Sequence, residues 1–178
     1  MTVYVAMLRG VNVGGNSLKM DWLRQACAEI GLADVRSYVQ SGNLVFSSRL
    51  SALKLAQTLK TTIDAQMRLP VSVVVRSASE MTKIVAGNPF LKQSGIDLTK
   101  LHVTFLAKPP SKPAVDKLDA LAGTRDRYRL AKQEVYLHCP VSYGKTRLSN
   151  TAIEKALAVG ATTRNWNSVT TLAAMAAE

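Results

Sequence analysis

Residues 35–47, VRSYVQSGNLVFS, decide the fold. Two short runs rich in β-branched and aromatic residues, 35–40 and 43–47, are separated only by Ser41 and Gly42, a two-residue hairpin signal. Strands joined so tightly must pair antiparallel, so the segment breaks any simple alternation of strand and crossover helix. Upstream, 3–8 (VYVAML) is a short apolar run suited to a buried strand, and Met20, Leu23, Cys27 and Ile30 recur at helical spacing before Gly31. Downstream, Ser51 is placed to cap a helix through Leu55, Leu59, Ile63 and Met67 that Pro70 closes, and 71–76 (VSVVVR) is the next strand. The order β-α-β-β-α-β predicts a ferredoxin-like plait.

The same grammar then repeats. Ser77 and Glu80 form a capping box for a short helix, and Asn88-Pro89-Phe90 opens an irregular connector. A strand at 101–107 leads to a helix near 113–122 behind Ser111, and a hairpin pairs 125–130 (RDRYRL) with 134–138 (EVYLH). A helix at 150–159, a strand at 161–166 and a C-terminal helix complete the chain. The expected class is therefore α+β: two tandem ferredoxin-like (α/β-plait) domains packed together, with extra connecting and C-terminal helices. Their expected bounds are 1–77, a connector at 78–100, and 101–178. Val3, Val5 and Met7 on one face of the first strand, and Tyr4, Ala6 and Leu8 on the other, make both faces apolar. Such a sheet expects cover on both sides, by the second plait or a partner, and offers no exposed aromatic platform for RNA.

Composition narrows the partners. Of 178 residues, 47% are hydrophobic, and 23 Lys and Arg outnumber 12 Asp and Glu, giving a net charge of +11. Such an excess favours polyanionic or phosphorylated partners and says nothing about fold. It is spread over both halves of the chain. The N-terminus lacks a basic leader region, and its six-residue apolar run before Arg9 is too short for a signal peptide or a membrane span. A cytoplasmic protein without membrane association is expected. Cys27 and Cys139 stand far apart, with only His102 and His138 to join them, which argues against a disulfide framework, a zinc site or any metal. No cofactor is expected, and monomer or homodimer stays open.

Plait topology places the end of the first strand and the first hairpin at one edge, bringing Arg9, Asn12, Gln40, Ser41 and Asn43 together. That set can donate several hydrogen bonds to an anion, a carboxyl or a base edge; equally, it can satisfy the backbone of its own loops. In the second half the loop 139–148 and the last strand should meet, gathering Lys145, Arg147, Arg164, Asn165 and Trp166 as phosphate contacts beside a stacking platform. The alternative for Trp166 is burial between the final strand and the C-terminal helix. Arg125, Arg127 and Arg129 alternate along an expected edge strand as a basic ladder with steps of roughly 7 Å, near the phosphate spacing of an extended single strand. Charges on an edge strand also discourage edge-to-edge pairing. Gly144-Lys145-Thr146 is not a phosphate loop, since Cys139 occupies the position of its first glycine. No pair of acids is placed by spacing for acid–base chemistry, and Ser41 has no His partner in its own half.

The blocks LRGVNVGG (8–15), YVQSGNLVF (38–46), NPF (88–90), YGKTRL (143–148) and TTRNW (162–166) together resemble the domain-of-unknown-function 1697 family of bacterial proteins. The resemblance runs nearly end to end and implies two α/β plaits; it implies no activity. The leading reading is a non-enzymatic protein that binds an anionic ligand, above all nucleic acid, through its polar and basic loop edges. The rival is an enzyme on a small phosphorylated or carboxylated substrate, with Arg9 and the 40–43 hairpin as anion clamp. A protein–protein adaptor is the third reading.

Overall fold

The computed structural model describes residues 1–15, 17–68 and 70–178. They form an α+β protein with two four-stranded antiparallel sheets. Two compact units emerge, Met1–Lys83 with Thr171–Glu178, and Ile84–Thr170.

The first unit runs β1 (Thr2–Arg9), α1 (Met20–Glu29), β2 (Ala33–Tyr38), β3 (Asn43–Ser48), α2 (Ala52–Met67) and β4 (Ser72–Ser77), with sheet order β2-β3-β1-β4. Alternation along β1 sends Tyr4, Ala6 and Leu8 to one face, where they meet Leu44 and Phe46 of β3 and Val73 and Val75 of β4. The same cluster takes in Leu23 and Cys27 of α1 and Leu55, Leu59 and Ile63 of α2, the apolar stripes expected from their spacing. Ser51 caps α2, its side chain accepting from the Lys54 N–H. The alternate side chains Val5, Met7, Val45 and Val74 are buried as well.

The first hairpin departs from the two-residue turn. Tyr38 pairs with Asn43, so the loop holds four residues, 39–42, and β2 stops two residues early. The reason lies in the backbone: Val39 takes a left-handed φ of 48° and Gly42 one of 77°, which end the pleat on both sides.

The bridge between the sheets begins with α3 (Ala78–Ala86), where Ser77 and Glu80 form the expected reciprocal capping box. A 3-10 turn at Pro89–Lys92 follows, capped by Asn88. Then come β5 (Leu101–Leu106), α4 (Lys112–Leu121), β6 (Arg127–Leu130), β7 (Glu134–His138), α5 (Asn150–Leu157) and β8 (Ala161–Asn165), with sheet order β6-β7-β5-β8. Leu106, Val135, Leu137 and Ala161 pack with Leu118 of α4 and Ile153 and Leu157 of α5. Strand β6 is an edge, as expected, but it starts at Arg127. Arg125 therefore lies outside the strand, and the basic ladder has two rungs instead of three. The last strand also ends one residue early, because Trp166 opens α6 (Trp166–Ala177).

Candidate functional site

In the first unit the end of β1 and the 39–42 loop are locked together. Leu8 N–H donates to the Gly42 carbonyl at 2.8 Å, and a Cβ on Gly42 would lie 2.6 Å from Val11 Cγ2 and 2.8 Å from Leu8 Cβ. Only glycine fits there, and its positive φ requires glycine independently. Asn12, at φ 54°, donates through Nδ2 to the carbonyls of Leu18 at 3.0 Å and Gln40 at 2.6 Å, and accepts from Leu18 N–H at 2.7 Å. Asn43 is fully buried and donates to Tyr38 O and to Ser41 Oγ. The predicted neighbourhood thus forms in two pairs, Asn12 with Gln40 and Ser41 with Asn43. Both asparagines direct their hydrogen bonds inward to the loops. Arg9 closes β1 opposite Ser72 of β4, half-buried.

The residues of the second predicted cluster differ in exposure. Lys145 and Arg147 are exposed, and between them Thr146 pins the loop by donating to Asp126 at 2.6 Å and accepting from Leu148 N–H. Arg164 turns back on its own strand, donating to Thr162 Oγ1 and to the Thr163 carbonyl, and burial pulls its pKa down to about 10. Trp166 is only 6% exposed, which leaves little of its indole to the solvent. The start of α5 is tied to β8 by uncharged groups: Asn150 donates to Ala161 O and accepts from Thr163 Oγ1.

Arg127 and Arg129 converge on one ring. They lie two residues apart on β6, both exposed, with guanidinium carbons 5.5 and 5.9 Å from the centre of the Phe90 ring. Phe90 is fully buried, held by the Asn88 cap on its own N–H, so the ring is a fixed floor beneath two cations. Arg127 also donates to Gln93 Oε1 at 2.8 Å and meets His138 Nδ1 at 3.0 Å. Because a guanidinium only donates, His138 accepts there. Burial first, and Arg127 second, hold its pKa below the ordinary value, against Asp126 and Asp97. Neither arginine is ion-paired to a carboxylate among the described residues.

Sequence reasoning missed Phe90, Gln93 and His138 as parts of this site. The NPF block was the available signal, since a buried aromatic in an irregular connector must pack on something. Cys27 and Cys139 are buried and unbridged, and burial pushes the Cys27 thiol up to about 12, which leaves it inert. Among the described residues, no cluster of three metal-ligating side chains occurs, and no helix is long and apolar enough to cross a membrane.

Comparison with known proteins agrees with this picture of a fold without an assigned chemistry. A family model described as "Protein of unknown function (DUF1697)" matches residues 1–136. No curated protein matches. Among solved structures, the chain is similar to the conserved bacterial protein SP0830 from Streptococcus pneumoniae. The TM-score is 0.77 at 24% identity, over 100% of this chain and 99% of that one.

Proposed function

The chain belongs to the DUF1697 family, whose description carries no activity, and from that premise we propose that it binds single-stranded nucleic acid through the β6 edge. The observation that carries the reading is the pair Arg127 and Arg129, two exposed guanidiniums over Phe90, neither ion-paired to a carboxylate among the described residues. Fixing them beforehand lowers the side-chain entropy lost on binding a phosphate. Their separation along one strand face is about 6.6–7 Å, close to the step between phosphates in an extended strand. Arg125 precedes the strand, and Lys145 and Arg147 sit on the exposed loop, as further cations for a flexible polyanion.

The rival reading, an anion clamp at Arg9 and the 40–43 hairpin serving an enzyme, draws less support, because Asn12 and Asn43 direct their amides to loop carbonyls. The proposal further takes each sheet with its helices as a ferredoxin-like plait, 1–77 and 101–178 joined by 78–100, in a cytoplasmic protein.

Fluorescence anisotropy with a labelled single-stranded oligonucleotide at low ionic strength tests it. Binding should weaken with salt, and the double variant Arg127→Gln/Arg129→Gln should lower the log–log salt slope by about 1.4, at ~0.7 per phosphate contact. No salt-dependent binding, or an unchanged slope in the double variant, sinks the reading.

A further inference from the structure

The second unit holds a cavity of about 560 Å³ at the junction of β8 and α6, lined by His102, Asn165, Trp166, Asn167, Thr99 and Thr170 among others. Its size suits one small molecule. Among the described residues, no Asp, Glu, Lys or Arg lines it. An ionic ligand would therefore enter without a counter-charge, whereas an uncharged one meets amides, hydroxyls and two aromatic rings. This setting is unlike the cationic β6 edge.

His102 and Asn165 face each other across the β5–β8 ladder, so their side chains rise side by side on one face of the sheet. His102 is held in place by stacking on Tyr143, with ring centres 4.5 Å apart and planes inclined by 20°. Its Nδ1 is enclosed by protein and has no hydrogen-bond partner, which makes Nε2 the imidazole nitrogen that reaches accessible space. Burial keeps the ring neutral at pH 7, its pKa held below the ordinary value against the opposing pull of the Lys100 main chain. With its one proton on the enclosed Nδ1, the neutral ring presents Nε2 as an acceptor. Beside it, Asn165 spends its Oδ1 on the Ser168 N–H at 2.8 Å, capping α6, which fixes the amide and turns Nδ2 into the group left to donate. An acceptor and a donor thus stand next to each other, with the Trp166 indole beginning the helix behind them.

We propose that this cavity binds an uncharged planar lactam ring. The ring N–H donates to His102 Nε2, the adjacent carbonyl accepts from Asn165 Nδ2, and Trp166 packs against the ring. The –CO–NH– edge is the complement of the acceptor–donor pair, and a flat ring suits a site lined by imidazole and indole.

The test uses the full chain carrying Trp22→Phe, which leaves Trp166 as its one tryptophan, titrated with uracil and hypoxanthine while indole fluorescence is read. Saturable quenching is expected. The control 1,3-dimethyluracil, which keeps the ring but has no N–H, should bind at least tenfold more weakly. His102→Phe, which retains a ring to stack on Tyr143, should weaken uracil by a similar factor. Absence of saturable quenching by either lactam at millimolar concentration overturns the proposal. Equal binding of dimethyluracil overturns it too, and that comparison does not depend on any His102 variant folding.

Discussion

Arg127 and His138 share a single hydrogen bond, Nη2 to Nδ1 at 3.0 Å, above a ring that neither of them touches through its charge alone: the buried phenyl group of Phe90 lies 5.5 Å from one and 5.8 Å from the other. The hydrogen bond orients the imidazole, while burial first and Arg127 second favour its neutral form. Replacing Arg127 by Gln removes one of the two influences that lower the His138 pKa, so the titration of His138, followed by its ring C–H resonances, should move upward toward the ordinary value. A downward or null shift contradicts the assigned roles.

Phe90 should separate stability from surface charge. Phe90→Ala removes a fully buried ring and should cost about 3–5 kcal/mol in urea unfolding. Arg129→Ala deletes one exposed cation–π contact, worth about 0.5–1 kcal/mol. Equal losses from the two changes contradict the ring's place as the floor of the site.

Gly42→Ala combines two penalties. A left-handed residue with a Cβ costs about 1–2 kcal/mol, and forcing that Cβ against Val11 and Leu8 adds about 1–3 kcal/mol. A drop of about 2–5 kcal/mol in unfolding free energy is expected. A change below 1 kcal/mol means the loops can part at little cost.

Both histidines hold pKa values lowered by burial from an ordinary 6.5. The unfolded chain therefore takes up protons first as pH falls, and stability tied to these two groups is complete above about 6.5 and declines below it. Asp64 and Asp97 are also lowered, from 3.8, so their losses begin only at still lower pH. Thermal unfolding between pH 7 and 5 should show a falling midpoint, with a shallower fall in His102→Phe. An unchanged slope in that variant places the effect elsewhere.

The strands and helices were legible because their periodicities are local: Leu55, Leu59 and Ile63 announce a helix face, and Ser77 with Glu80 a helix start, wherever the chain goes afterwards. The hairpin length was not legible, since nothing in Val39 itself signals a left-handed backbone. A β-branched residue disfavours it, and the surrounding sheet imposes it. The site was half legible. Alternating arginines marked the edge strand, but the ring beneath them arrives from Phe90, 37 residues before Arg127. Contacts at such separation leave no trace in a local window. Asn12 and Asn43 looked equally able to serve a ligand or a loop, and only their hydrogen bonds distinguish the two.

The junction of Gly42 with Leu8 and Val11 also governs what this chain tolerates over time. Because the Leu8 amide is tied to the Gly42 carbonyl, its exchange with deuterated solvent requires β1 and β3 to separate at that end, making Leu8 a reporter for opening of the first sheet. A residue inserted between Tyr38 and Asn43 would push Gly42 out of its slot and reset the register of β3, so this loop is closed to length variation in a way that most surface hairpins are not.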